Sequence, residues 1–126
     1  MNTSSFKDRS EVLAELCGLK RQSVCFQIMT LMQMCHRELD EGAVKQYELN
    51  GQMYYEFRSL QQYMANIKTM SNAKAGLGAL TEHGFLDKLV MSKNGEMITD
   101  PSYFRGDVSI FYRLSNKGQL LFGLGL

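Results

Sequence analysis

Apolar residues recur along this chain at two spacings, and the switches between them mark out its elements. Val12, Leu13, Leu16 and Leu19 share one helical stripe, which predicts a helix from Asp8 or Ser10 to about Leu19 behind a flexible tail at 1–7. Residues 22–39 then form the most apolar helical segment. Val24, Cys25, Phe26, Ile28, Met29, Leu31, Met32, Met34, Cys35 and Leu39 leave only Gln27, Thr30, Gln33 and Arg37 as a narrow polar strip. A helix apolar around most of its circumference is buried on more than one side. In a chain of 126 residues one of those sides is available to a second copy. The pattern therefore predicts a homodimer, through Met29 and Met32 or through Leu31 and Met34 on the neighbouring flank.

Asp40-Glu41-Gly42 ends the helical spacing. Two β-favouring arms, VKQYEL and QMYYEF, flank Asn50-Gly51, the strongest short hairpin signal available to a sequence. From Arg58 to Lys88 the helical period returns as two short amphipathic helices. Ser59 precedes Leu60, Met64 and Ile67, while Ser71 is an N-cap candidate for a second helix carrying Leu77 and Leu80. Gly84 supplies the positive φ that a helix C-terminus favours. Beyond it lie FLDKLVMS, a turn at Lys93-Asn94-Gly95, EMIT, a loop with the only proline (Pro101), and the alternating strand VSIFYRLS. Asn116-Lys117-Gly118 turns into the apolar end QLLFGLGL.

Two leading helices, a hairpin, a helix-turn-helix at 58–88 and a β-hairpin wing at 86–114 describe a winged helix of α+β class, filling residues 1–126 as one domain. The segment Ser71–Lys88, SNAKAGLGALTEHGFLDK, resembles the recognition helix and first wing strand of bacterial winged-helix proteins through Leu80, Gly84, Phe85, Leu86 and Lys88. A second segment, NGEMITDPSYFRGD at 94–107, resembles the stretch after the helix-turn-helix in RepL-type plasmid replication proteins. Met97, Pro101, Arg105, Gly106 and Asp107 fit that pattern, whereas Asp100 stands in place of Asn and the spacing is one residue shorter. The resemblance spans roughly residues 58–114 and implies DNA binding, in plasmid or phage replication or maintenance or in transcriptional regulation.

The side of the second helix opposite Leu77 and Leu80 carries Asn72, Lys74, Ala75, Gly78 and Thr81, with Ser71 at its start. In a major groove Asn can pair with an adenine edge and Lys with guanine or phosphate. Ala75, Gly76, Gly78 and Ala79 make the helix slim enough for close approach. Each interior Gly costs about 0.5–1 kcal/mol relative to Ala, so the glycines require either a close ligand or close packing against the first helix of the motif. On the wing, Lys93 and Arg105 are placed to meet phosphate or the minor groove. Tyr103 and Phe104 either brace the wing or stack on a base.

Composition narrows the alternatives. The net charge is +1, so any DNA surface must come from local arrangement. Arg58, Lys68, Lys74 and Lys88 against Glu82 and Asp87 give the helix-turn-helix a small positive excess. No apolar run is long enough to span a bilayer, and the N-terminus lacks the apolar core of a secretion signal, so a cytoplasmic protein without membrane contact is expected. Cys17, Cys25 and Cys35 lack paired spacing and are expected as reduced, buried thiols. Cys35-His36 has no second ligand pair, which argues against metal. Gly76-x-Gly78 lacks the third glycine of a dinucleotide loop and follows no strand. No cofactor is expected, and no acid, base and nucleophile assemble into an enzyme. The expectation is a homodimer binding double-stranded DNA. The competing possibility is a winged-helix module that binds protein and not DNA.

Overall fold

The computed structural model describes residues 3–37, 44–64, 70–98 and 107–122. Their elements are α1 (Thr3–Cys17), α2 (Gln22–Arg37), β1 (Gln46–Leu49), β2 (Gln52–Glu56), α3 (Phe57–Leu60) continued by a 3-10 turn at Gln61–Tyr63, α4 (Met70–Glu82), β3 (Leu86–Ser92), β4 (Val108–Leu114) and α5 (Asn116–Leu120). The fold is mixed α+β, with a four-stranded antiparallel sheet in the order β1-β2-β4-β3. None of the described helices is long and apolar enough to cross a membrane.

The Asn50-Gly51 turn forms as its sequence demands, both residues having positive φ, 52° and 78°. It sets the register Leu49↔Gln52 through Gln46↔Tyr55. Strand β2 then meets β4 at Tyr55↔Tyr112 and Glu56↔Phe111, so the strand ahead of α3 adjoins the β3–β4 hairpin. β3 and β4 pair along their full lengths, from Leu86↔Leu114 to Ser92↔Val108.

Strand alternation assigns the two sheet faces. Tyr55, Leu86, Tyr112 and Leu114 join the helices in one core with Leu16, Ile28, Met29, Met32, Leu60, Leu77, Leu80 and Phe85. Leu89, Met91 and Phe111 lie on the opposite face with Leu49 and Tyr54. Arg113 is also buried and pairs with its cross-strand neighbour Asp87 at 2.8 Å, its guanidinium 5.9 Å from the Tyr54 ring centroid.

Several expectations are corrected. α1 begins at Thr3, so most of the tail expected to be flexible is helical. Its stripe is uneven: Leu16 is buried, yet Leu13 is exposed. The first helix of the 58–88 unit starts two residues ahead of Ser59, directly off β2, and tightens into the 3-10 turn. Leu60 and Met64 are buried as their spacing predicts, while Ile67 lies outside the described residues. Ser59 does not cap that helix. Its Oγ donates to Glu56 Oε1 at 2.8 Å and accepts from the Lys45 backbone N–H at 3.2 Å, closing the base of the β1–β2 hairpin. Ser71 is likewise not an N-cap, because α4 already starts at Met70. The EMIT segment contributes a single bridge, Met97 to Met91, against β3. The chain end expected as a turn forms α5, whose N-cap Ser115 accepts from the Gly118 N–H at 3.1 Å. Cys17 is exposed, and only Cys25 and Cys35 are buried. Burial pushes the Cys35 thiol up to about 12, which keeps it protonated and unreactive.

Candidate nucleic-acid interface

α4 has two sides of different character. Ala73, Leu77 and Leu80 point into the core, and Gly76 is buried against α2. A Cβ at Gly76 would sit 2.8 Å from Val24 Cγ1 and 2.9 Å from Ile28 Cδ1, closer than side chains pack. Its absence lets α2 and α4 touch. Gly78 is different: it is exposed, and a Cβ there would meet nothing within 4 Å. The two glycines therefore stand in different surroundings. Gly76 packs against α2, which corrects the expectation of packing against the helix that precedes α4. Gly78 keeps the outward surface low.

Ser71, Lys74 and Gly78 are exposed and Ala75 is half-buried, a contiguous strip at helical spacing. Asn72 stands on its flank, half-buried, its Oδ1 accepting from Arg21 Nε at 3.4 Å. Thr81 is turned to its own helix and donates to the Leu77 carbonyl at 2.7 Å. Arg21 was not singled out by the sequence. It lies in the α1–α2 connection with φ 56°, and the α2–α4 contact at Gly76 brings it beside Asn72. Lys74 and Arg21 therefore give the outer surface of α4 its positive charge.

The far end of α4 is fastened by several independent contacts. Gly84 adopts φ 79°, and the backbone N–H groups of Phe85 and Gly84 donate to Leu80 and Thr81 at 2.8 and 3.1 Å. That doubly bonded ending satisfies carbonyls which a helix terminus otherwise leaves open. Ser115 Oγ donates to the Gly84 carbonyl and its N–H to that of Phe85. Gly118 permits this approach, since a Cβ there would collide with the Phe85 carbonyl oxygen. Glu15 then ties three elements together, reaching Lys117 Nζ at 2.5 Å and His83 Nδ1 at 3.2 Å. Lys117 also donates to the His83 carbonyl at 2.8 Å. The Lys117 bond first, and the His83 bond second, hold the Glu15 carboxyl below its ordinary range.

On the β3–β4 hairpin, Gly95 takes φ 84° in the turn, and Ser92 Oγ accepts from the Glu96 N–H at 3.1 Å. Lys93 pairs with Asp107 at 3.1 Å, and both side chains are 79% exposed. A groove of about 550 Å³ separates this pair from Arg58 in α3 and Gln61 in the 3-10 turn that continues it. Arg105, Tyr103 and Phe104 fall outside the described residues.

Met29 and Met32 are 1% and 0% exposed within a single chain, which corrects the expectation that they form a flank between copies. On the other expected flank Leu31 is also buried in the core and Met34 is half-buried; both line an open groove of about 810 Å³ together with Phe26, Gln27, Thr30 and Tyr63. Among the described residues no three His, Cys, Asp or Glu side chains are arranged to hold a metal ion. No family model, curated protein or solved structure matches the chain.

Proposed function

We propose that the protein is a winged-helix DNA-binding protein that lays the outward strip of α4 in the major groove. The observation that carries this reading is the contrast between its two interior glycines. Gly76 is required by packing, but Gly78 stands over open space and weakens the helix with no packing return. A slim outward face beside Lys74, Asn72 and Arg21 suits close approach to base edges and phosphate. The element order supports the same reading. β2 precedes α3 and pairs with β4, as a first strand adjoining a wing should.

In this reading the protein acts by binding and not by catalysis. Lys74 and Asn72 contact bases or phosphate, with Ser71, Ala75 and Gly78 completing the surface. Lys93 and Arg105 hold the wing on the backbone. Two copies associate along the Leu31–Met34 groove and present two α4 helices to successive major grooves, about 34 Å apart. The RepL-like segment favours plasmid or phage replication or maintenance, and transcriptional regulation would use the same parts.

The near-neutral net charge favours a second reading, a winged-helix module that binds protein. A salt titration of binding to duplex DNA separates them. The DNA reading expects affinity that falls steeply with salt as counterions lose their entropy of release. No binding at low salt, with a monodisperse folded protein, favours the module.

A further inference from the structure

We infer that a cavity between α1, α2 and the two residues that follow α5 binds a small molecule with an apolar body and one carboxylate. The cavity has a volume of about 410 Å³, within the range of small-ligand pockets. Leu13, Leu16, Phe26, Met29 and Phe122 form its apolar wall, and Arg9 supplies its cation.

Arg9 is out of character for its place. It stands at i, i+4 and i+7 with Leu13 and Leu16, so a guanidinium continues the apolar stripe of α1. Its Nε is shut off from solvent without a hydrogen-bond partner, and among the described residues no carboxylate pairs with it. A buried, unpaired donor on a charged group is costly, and a carboxylate is the acceptor whose geometry completes a guanidinium fork. An apolar tail would cover the carbon surface that the cavity leaves open. The cavity lies on the side of α2 carrying Phe26, Met29 and Thr30, whereas Val24 and Ile28 face α4 about half a turn away. The site is therefore distinct from the α4 surface, and the inference stands whether or not α4 binds DNA.

Calorimetric titration of the full chain with decanoate and with decan-1-ol, both below their aggregation limits, tests this directly. The expected result is saturable one-to-one binding of decanoate, at least about tenfold tighter than the alcohol, as one charged hydrogen-bonded contact would give. Arg9→Met, which keeps an apolar stem, should abolish the preference while leaving the alcohol's affinity unchanged. Leu13→Trp, at the exposed mouth, should weaken both ligands. Equal affinities for the two ligands in the unmodified chain, or no saturable binding of decanoate, would overturn the inference. So would a decanoate preference that survives in a folded Arg9→Met variant.

Discussion

Gly76 lies so close to Val24 that a methyl group on it would reach within 2.8 Å of Val24 Cγ1. Val24 and Ile28, one turn apart on α2, meet the middle of α4 there, and that contact also brings Arg21 beside Asn72. The contrast with Gly78 gives a first prediction. Gly76→Ala should destabilise the protein, because overpacking costs about 1–3 kcal/mol and outweighs the helix gain. Gly78→Ala should stabilise it by about 0.5–1 kcal/mol, since the new methyl meets nothing. Urea melts of the two variants would rank them. Equal stabilities would show that Gly76 is not a packing requirement.

The Glu15 cluster predicts a pH dependence. Lys117 and then His83 depress the folded-state pKa of Glu15, so its contribution is present above the ordinary carboxylate range and lost as pH falls through the depressed value. Acidification from about pH 6 to about pH 3 should lower the melting temperature more in the unmodified chain than in Glu15→Gln. The group is open to solvent, so the difference should be modest. Parallel curves for the two proteins would mean that the cluster orients α1 and α5 without stabilising them.

How far the sequence foretold this fold depended on the range of the interaction. Asn50-Gly51, Gly84 and the β3 and β4 alternation were legible because each reports on neighbours within a few residues. The burial of Leu60, Met64, Leu77 and Leu80 was legible from helical spacing for the same reason. The destination of α2 was not: apolar character around a helix says that several sides are covered, but not by what. Met29, Met32 and Leu31 proved to be core, and of the four only Met34 is half-buried beside the open groove. Arg21 was invisible as part of the α4 surface because its place follows from a tertiary contact at Gly76. The C-terminal helix was hidden by Gly118, which reads as a turn residue yet is needed where α5 meets the Phe85 carbonyl.

The proposed self-association can be tested at a groove residue outside the core. Tyr63 is 40% exposed and lines the groove with Leu31 and Met34. Tyr63→Glu should leave the monomer folded and shift the sedimentation coefficient from dimer to monomer. A monomer in the unmodified protein at tens of micromolar would remove the dimer from the account.

The β3–β4 hairpin offers a test in which a charge is released and not removed. Lys93 is held by Asp107 in an ion pair whose members are both 79% exposed, so breaking it should change stability by less than about 1 kcal/mol. If Lys93 meets phosphate, Asp107→Asn should tighten DNA binding and steepen its salt dependence. Lys93→Ala should make it shallower by about one charge. Unchanged slopes in both variants would leave the hairpin as scaffold.

The proposed contact of the outward face of α4 with duplex DNA can be probed at Lys74. This residue is exposed, two positions from Asn72 and on the strip with Gly78. Fluorescence anisotropy with a duplex selected by the unmodified protein should show Lys74→Ala losing about 1–3 kcal/mol of specific binding. Its melting temperature should stay unchanged. Full affinity and unaltered sequence preference in Lys74→Ala would contradict the account.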